Sequence, residues 1–253
     1  PILWGLVTSL KTRREILVYP PKFFNFTPGL EHYFNVFRNG LDIGMRNSLL
    51  YSACTIALGL VLGLLAAYGF ERYHFPFKKI LFYIVIAGIP LSIGSAAMLI
   101  PNYLYMMELG LTNKWYTLIL LYTAYNLPMA IWIMKGGIEA IPLEIEDAAL
   151  IDGCSRAYII GRLIPRLILP SIASSALFLF IGAWNEFITA TVMVNGYALK
   201  NIQMAIYDYI GFFGQEWGPL CGAATLAIIP ILLVFTFLGK QLVSGLTAGA
   251  VKG

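Results

Sequence analysis

The chain has 253 residues, of which 59% are hydrophobic and only 12% are charged. A soluble globular domain carries about 25% charged residues, so this composition argues against a soluble protein and for a chain embedded in a membrane. Membrane lipid is therefore an expected partner, and nucleic acid is not.

Five stretches without Asp, Glu, Lys or Arg, each 19 to 28 residues long, are the predicted membrane spans. A hydrocarbon core about 30 Å thick needs roughly 20 helical residues to cross it. Buried helices of soluble proteins have shorter apolar runs, and a barrel would alternate apolar and polar residues. The predicted fold class is thus an all-α, polytopic helix bundle. The stretches are 47–70, 80–107, 115–134, 167–185 and 217–239.

The uncharged segment 1–10 precedes a polar run and predicts the end of an additional first span. A cleaved signal peptide is the alternative, but it would not leave its apolar region on the mature chain. We expect three parts: 1–46 with this helix end and an extracytoplasmic segment, a transmembrane domain at 47–240, and a cytoplasmic tail at 241–253.

The charges of the connecting loops predict the orientation. Segments 71–79, 135–166 and 240–253 carry nine Lys and Arg residues, whereas 108–114 and 186–216 carry two. Short loops rich in Lys and Arg stay in the cytoplasm, so we place the first group, with the C-terminus, on the cytoplasmic side of the membrane. Segment 1–46 then lies outside, despite its six basic residues.

Motifs for catalysis, metal binding or nucleotide binding are missing from the sequence. The only histidines are His32 and His74, and the three cysteines are scattered, so neither a metal site nor a disulfide framework is predicted. No phosphate-binding loop or nucleophile elbow is found. We predict a non-enzymatic chain without a cofactor of its own; if it uses ATP, another chain must bind it. An intramembrane enzyme is disfavoured, because no histidine lies in a charge-free stretch.

Segment 135–166 mixes five acidic with four basic residues, unlike a flexible linker. It predicts a helix–turn–helix in which Pro142 takes the first helical position and acidic residues follow, where the helix dipole favours them. Asp152 and Gly153 are predicted to end this helix. Ser155 is predicted to cap the next one, which continues over 156–163 toward the following span.

The turn of this hairpin is a predicted docking site for another protein. Ala148, Ala149 and Gly153 leave little side-chain bulk, so a partner could approach the backbone while the neighbouring carboxylates pair with its basic groups. An amphipathic helix lying on lipid is the alternative, but its polar face should be basic, and here it is acidic.

Several motifs resemble those of one family. The run Asp147-Ala-Ala-Leu-Ile-Asp152-Gly153 resembles the Glu-Ala-Ala-x-x-Asp-Gly loop of permease subunits in bacterial ABC importers. Over essentially the whole chain, further motifs resemble the maltose-type carbohydrate permeases. They are Asn47-Ser-Leu, Ala66-Ala-Tyr-Gly-Phe, Trp184-Asn-Glu-Phe187 and Gly245-Leu-Thr-Ala-Gly-Ala-Val-Lys-Gly253. Two departures are Asp147 in place of Glu, and Leu163-Ile164-Pro165-Arg166 in place of an Ile-x-Leu-Pro pattern.

This resemblance implies a type I importer permease with six spans, a second permease as heterodimer partner, a dimer of ATP-binding subunits and an extracytoplasmic sugar-binding protein. It implies that 143–160 couples to the ATPase, with Glu146, Asp147 and Gly153 nearest to it. It also implies that 195–216 reaches the sugar-binding protein. The tail, 245–253, would contact the ATPase. The predicted coupling residues are Glu146, Asp147, Ala148, Ala149, Asp152, Gly153, Ser155 and Arg156.

Polar residues in the predicted spans are candidates for a substrate path. Trp184, Asn185 and Glu186 lie near the outer end of their span, where they could bond to substrate or simply anchor the helix; both interpretations stay open. Tyr125 and Asn126 are candidates for sugar contacts, with helix packing as the alternative.

Prolines and glycines within the spans predict local features of the bundle. Kinks at Pro90, Pro101, Pro128 and Pro230 would suit a transport cavity, although proline is common in membrane helices anyway. The Gly59-x-x-x-Gly63 pair permits a close helix contact.

The predicted function is that of a pore-forming subunit in an ATP-driven importer of sugars or oligosaccharides. Neutral malto-type and acidic uronate or alginate-type substrates are both allowed. A basic outer surface is compatible with the acidic ones or with glycerol phosphates, the alternative small solutes; its residues are Lys11, Arg13, Arg14, Lys22 and Arg38. A secondary transporter is a weaker alternative, because only Glu186 resembles an intramembrane acid.

Overall fold

The computed structural model describes the backbone of residues 1–93, 96–211 and 214–250, and the side chains of 1–90, 98–211 and 215–239. Almost all of its regular structure is helical, which confirms the predicted all-α class. In chain order the elements are α1 (Ile2–Ser9), α2 (Arg13–Ile16), α3 (Glu31–Arg38), α4 (Leu41–Arg72), α5 (Lys78–Ile93), α6 (Ala96–Glu108), α7 (Trp115–Glu139), α8 (Leu143–Ile151), α9 (Arg156–Tyr158), a π-helical turn (Ile159–Leu163), α10 (Ile164–Leu167), α11 (Leu169–Trp184), α12 (Ile188–Met193), a 3₁₀ turn (Tyr197–Leu199), α13 (Ile202–Tyr207), the short strands β1 (Ile210–Gly211) and β2 (Gly214–Gln215), and α14 (Trp217–Ala250).

Three of the five predicted spans are single helices that are long and apolar enough to cross a membrane. They are α4, α7 and the part of α14 over Trp217–Gly239. The predicted span 80–107 corresponds to α5 and α6, and two of its residues, 94–95, lie outside the described part of the chain. Long charge-free stretches therefore locate the spanning helices well where the helix is uninterrupted.

The predicted span 167–185 corresponds to α11, and the chain reaches this helix from 156–163 through a sharp bend and not along one straight helix. The chain passes through α9, the π-helical turn and α10, and then bends by 85° before α11. Pro165 lies in the first turn of α10 and Pro170 in the first turn of α11. Because proline lacks a backbone N–H, each position suits a helix start better than a helix interior.

The four prolines predicted to interrupt apolar runs all lie inside helices α5, α6, α7 and α14. Pro128 has a specific packing partner: a Cβ added at Gly88 would lie 3.1 Å from its Cγ. The glycine thus makes room for the proline ring. The prolines are Pro90, Pro101, Pro128 and Pro230.

The chain divides into two compact units, and the long helices contribute residues to both. The first unit comprises Pro1–Tyr51, Tyr103–Leu118 and Trp184–Leu233. The second comprises Ser52–Asn102, Ile119–Ala183 and Val234–Gly253.

The second unit has an apolar core formed by α4, α7, the π-helical turn, α10 and α11. The pair Gly59-x-x-x-Gly63 permits close contacts with two of these helices. A Cβ at Gly59 would lie 2.6 Å from Cδ2 of Leu179 on α11, and one at Gly63 would lie 3.4 Å from Cβ of Ala130 on α7. The buried residues of this apolar core are Ala67, Tyr68, Ala130, Ile131, Met134, Ile138, Ile141, Ile159, Ile164, Ile168 and Leu179.

Candidate functional site

The predicted helix–turn–helix is present at 142–158, which we call the coupling hairpin. Pro142 is the N-cap of α8 and not its first helical residue, a shift of one position from the prediction. Asp152 is the C-cap, and Gly153 follows with φ +85°, a conformation that favours glycine. The Ser155 hydroxyl accepts a 3.2 Å hydrogen bond from the amide of Tyr158, which is the cap predicted from the sequence.

One face of the hairpin is exposed and mixes apolar with acidic groups. Ile151, next to the turn, has 87% of its side-chain surface exposed. A Cβ at Gly153 would meet no atom within 4 Å, so the space beside the turn is open. We call this face the coupling surface; its exposed residues are Leu143, Ile145, Asp147, Ala148, Ile151, Asp152, Gly153, Ser155, Arg156 and Tyr158.

Glu146 points the other way, into the second unit. Its carboxylate is 3% exposed and both oxygens are occupied: Oε1 lies 2.5 Å from Nε of Arg72, and Oε2 accepts a 2.6 Å hydrogen bond from the Tyr68 hydroxyl. Arg72 is itself only 8% exposed. We call Tyr68, Arg72 and Glu146 the carboxylate clamp.

Arg72 also binds the end of α7. Its Nη2 donates to the backbone carbonyls of Ile138 at 3.1 Å and Ile141 at 2.8 Å. Carbonyls in the last turn of a helix have no partner within that helix; here the Ile138 carbonyl also accepts from the amide of Ile141 at 3.0 Å, and Ile141 lies in the connection between α7 and α8. A single side chain on α4 therefore holds both the end of α7 and the start of α8.

The clamp gives Glu146 a structural role beside the one that the resemblance implies. The resemblance implied that this residue is among those nearest the ATPase, but its carboxylate is paired within its own chain. Among the other predicted coupling residues, Ala149 is half-buried, while Asp147, Ala148, Asp152, Gly153, Ser155 and Arg156 remain exposed.

A second ion pair joins α4 and α7 without involving the hairpin. Nζ of Lys135 lies 2.8 Å from Oε2 of Glu71 and 3.1 Å from Oε2 of Glu139, and it sits over the ring of Phe82 at 5.4 Å from the ring centroid. The side chains of Lys135 and Glu71 are each 19% exposed. This pair is thus more exposed to solvent than the carboxylate clamp.

In the first unit, the described residues of 186–216 pack on the start of α4; we call them the outer segment, after the side of the membrane predicted for them. The Asn47 amide donates to the carbonyls of Ala198 at 2.8 Å and Lys200 at 2.9 Å, and the Ser48 hydroxyl accepts from the amide of Ile202 at 2.8 Å. Both side chains belong to the Asn47-Ser-Leu motif. The motif therefore has a local function, which is to hold this segment.

Glu186 acts as a helix cap within the outer segment. Its carboxylate accepts hydrogen bonds from the amide and hydroxyl of Thr189, at 2.9 and 2.8 Å, and from the amide of Ala190 at 3.1 Å. Its carbonyl accepts from the Asn201 side chain at 2.5 Å. Trp184 is fully buried, whereas Asn185 is exposed. Of the two interpretations for this motif, the geometry favours anchoring of the helix end.

Tyr125 and Asn126 lie half-buried on α7 in the second unit. The Asn102 side chain donates to the Tyr125 hydroxyl at 2.7 Å, and the Asn126 amide donates to the carbonyl of Tyr122 at 2.8 Å. A Cβ at Gly182 would lie 2.0 Å from Oδ1 of Asn126, so glycine is required there. These contacts make a small polar group between α6, α7 and α11.

The predicted basic outer surface includes one residue that is not on the surface. Lys11 is 3% exposed; its Nζ donates to the carbonyl of Lys22 and lies 4.7 Å from the ring centroid of Trp4. A carbonyl and an aromatic face stabilise the buried ammonium. The other four residues of that set, Arg13, Arg14, Lys22 and Arg38, are exposed.

Glu15 holds the neighbouring part of the first unit by hydrogen bonds alone. Its carboxylate accepts from the amide of Thr27 at 3.1 Å and from the hydroxyl and amide of Thr12 at 2.8 and 3.0 Å. The Thr27 amide, followed by the Thr12 donors, holds the pKa of Glu15 below its usual value.

Sequence reasoning missed two members of the carboxylate clamp. Tyr68 lies inside the Ala66-Ala-Tyr-Gly-Phe motif, and Arg72 follows it by four residues, which places both on the same face of α4. This spacing indicates that the two side chains lie on one face of the helix, but it does not identify Glu146 as their partner. Within the described ranges, no three His, Cys, Asp or Glu side chains are grouped to hold a metal ion.

Comparisons with known proteins agree on one family. A family model described as the binding-protein-dependent transport system inner membrane component matches residues 59–247. The sulfoquinovosyl glycerol transport system permease SmoH of Agrobacterium fabrum is 32% identical over 100% of this chain and 88% of its own length. The diacetylchitobiose uptake system permease DasC of Streptomyces coelicolor is 30% identical, covering 100% of this chain and 91% of its own.

A solved structure agrees in fold. A chain of a bacterial ABC transporter involved in the import of the acidic polysaccharide alginate superposes with a TM-score of 0.78 at 20% identity, covering 96% of this chain and 90% of that one.

Proposed function

Because the chain belongs to the family of binding-protein-dependent transport system inner membrane components, we propose that it is the subunit through which a separate ATPase drives the import of a sugar or oligosaccharide. Membership in the carbohydrate importer permeases and the type I importer fold, both predicted from sequence motifs, are confirmed. ATP and Mg²⁺ bind the partner, and this chain supplies part of the pore.

The coupling surface is the observation that carries this proposal. An isoleucine with 87% of its surface exposed, beside two carboxylates and a glycine, is unfavourable in water and favourable against a partner that covers it. Its acidic residues select a basic partner surface. When ATP closes the ATPase dimer, the hairpin moves with it and the helix bundle changes from inward-open to outward-open.

Cross-linking from matched cysteine positions tests which surface meets the ATPase. In a chain whose native cysteines are replaced, Ala148→Cys lies on the coupling surface and Ala198→Cys lies on the outer segment; both positions are exposed. Ala148→Cys should cross-link to the nucleotide-binding subunit in the intact complex, and Ala198→Cys should not. An intact complex without the first cross-link would contradict the docking proposal.

A bulkier residue at the turn of the coupling hairpin tests the contact with the ATPase in a second way. Gly153 and Gly196 both have positive φ, +85° and +91°, and a Cβ at either would meet no atom within 4 Å. Valine at either position therefore causes similar backbone strain, but only Gly153→Val places bulk against the ATPase. We expect Gly153→Val to abolish transport in an assembled complex and Gly196→Val to retain it. Equal transport by both would argue against docking at this turn.

The outer segment is the proposed contact for an extracytoplasmic sugar-binding protein. The scarcity of basic residues in 186–216 supports an outside location, and Asn47 and Ser48 keep the segment in one arrangement. A membrane-impermeant maleimide should label Ala198→Cys in intact cells and leave Ala148→Cys unlabelled. We also propose a second permease as a partner. A further proposal is that the tail, 245–253, contacts the ATPase; the side chains of this tail lie outside the described residues.

A carbohydrate is the substrate class that the relatives support. SmoH and DasC are named for glycosides of different charge, so similarity to both leaves acidic and neutral sugars open. We place the substrate path at Tyr125 and Asn126, because they are half-buried polar groups on a spanning helix. Tyr125→Phe should raise the KM for sugar in the reconstituted complex; Tyr116→Phe, on the same helix but nearer its start, is the control.

A further inference from the structure

We propose that the carboxylate clamp is the element that transmits motion of the coupling hairpin to α4 and α7. Tyr68, Arg72 and Glu146 would then be positioning residues of the transport cycle and not contacts to the ATPase. This inference rests on the proposed function, because it assumes that the ATPase moves the hairpin.

The geometry joins three helices through one guanidinium. From α4, Arg72 binds the Glu146 carboxylate of α8, the carbonyl of Ile138 in the last turn of α7, and the carbonyl of Ile141 in the connection between α7 and α8. Tyr68, one turn earlier on α4, binds the second carboxylate oxygen. Any displacement of α8 therefore has to stretch these bonds or move the ends of α4 and α7 with it.

Burial makes the connection stiff. Both charges are almost fully buried, so water cannot replace a broken bond, and a buried charge without its partner is strongly unfavourable. The guanidinium is planar and presents its donors in a fixed fork, so it holds its acceptors in a defined arrangement that a lysine cannot reproduce. The clamp is thus suited to moving as one body.

The Lys135–Glu71 pair provides an internal control. It joins the same two helices, α4 and α7, but among the described residues it forms no hydrogen bond or ion pair with α8, and it is more exposed. If a tie between α4 and α7 were sufficient for coupling, breaking this pair would matter as much as breaking the clamp. If the link to the hairpin is required, only the clamp variants should uncouple transport.

The experiment measures sugar transported per ATP hydrolysed. The complete importer, with its sugar-binding protein, is reconstituted in proteoliposomes carrying Arg72→Lys, Glu146→Gln, Tyr68→Phe or Lys135→Met, with maltotriose and a triuronate as the probe sugars. Cross-linking through Ala148→Cys is recorded in parallel, to show that the ATPase is still docked. We expect the Arg72 and Glu146 variants to keep the cross-link and ATP hydrolysis but to lose about fivefold or more in the transport ratio. Tyr68→Phe should lose less, and Lys135→Met should resemble the unmodified chain.

A double variant separates coupling from stability. Arg72→Met with Glu146→Leu removes both buried charges, so assembly should be retained better than in either single change, while the bonds to α7 are lost. Retained assembly with a low transport ratio supports the clamp as a transmitting element. A normal ratio in the double variant, or equal uncoupling by Lys135→Met, would overturn it. Loss of the Ala148 cross-link with normal transport would instead contradict the proposed docking.

Discussion

The coupling hairpin and the outer segment are both short helical connections held by side chains of α4, but the chemistry differs. At the start of α4, Asn47 and Ser48 hold the outer segment by neutral hydrogen bonds. At its end, Arg72 holds the hairpin by a buried ion pair. Neutral bonds fix an arrangement at modest cost when broken, whereas a buried charge pair penalises any partial separation. The difference suits the two proposed roles, a docking site for the sugar-binding protein at the outer segment and the transmission of motion at the hairpin.

The largest effect is expected at the clamp. Arg72→Met leaves the Glu146 carboxylate buried without its cation, so the free energy of unfolding should fall by about 3–5 kcal/mol. Thermal unfolding of the purified complex measures this. Glu146→Leu in the same chain should recover part of the loss. A single-variant cost below about 1 kcal/mol, the range of exposed ion pairs, would contradict the burial of this pair.

A smaller effect is expected at the outer segment, where α4 provides a matched pair of serines. Ser48→Ala removes the acceptor of the buried Ile202 amide and should cost about 1–3 kcal/mol. Ser52 is equally buried, and its hydroxyl has no partner within the described residues, so Ser52→Ala should be neutral or stabilising. Hydrogen exchange of the Ile202 amide distinguishes the two. Equal protection in both variants would show that Ser48 does not hold the segment.

Glu186 should show an effect of about 1 kcal/mol, typical of a helix cap. Glu186→Ala removes the acceptor for Thr189 and Ala190 and should lower the melting temperature of the complex slightly, without changing the KM for sugar. Glu186→Asp is the control that keeps a carboxylate. A large rise in KM with unchanged stability would restore the interpretation of Glu186 as a substrate contact.

The smallest effect depends on pH. The pKa of Glu15 is lowered in the folded chain, so its contribution to stability is present above the usual carboxyl pKa and is lost as the pH falls through the lowered value. Exchange protection of the Thr27 amide should decrease on acidification. Glu15→Gln should remove this pH dependence, and protection that does not change with pH in the unmodified chain would show that the carboxylate is not the acceptor.

Rules that involve only neighbouring residues predicted the turn and caps of the hairpin, but they did not predict the contacts between helices. Ser155 as a cap and Gly153 as the helix end follow from backbone chemistry that involves only a few adjacent residues. The partner of Glu146 is 74 residues away in the chain, and no local pattern identifies which of several basic residues reaches it. The burial of Lys11 is also not predicted from the sequence, because its aromatic and carbonyl partners surround it only when the segment around it folds.

The spans show the same limit. Charge-free length identified α4, α7 and α14, because lipid excludes charge along the whole helix. The same criterion starts another predicted span at Leu167, beside the 85° bend that precedes α11, and it does not predict that bend, because composition carries no information about direction. Pro165 and Pro170 mark the position, but the size of the bend depends on packing.

That bend gives the two ends of the coupling hairpin different connections to the rest of the chain. Upstream, the hairpin is bonded to helices; downstream it continues through a π-helical turn and a corner before α11. Insertions of this kind interrupt regular helical hydrogen bonding and recur at functional positions. Ile159, Ile164 and Ile168 of this stretch are buried in the core of the second unit, together with Leu179 of α11. A proline-free, continuous helix over 156–184 would lack the bend, and the hairpin and α11 could then not both pack against that core.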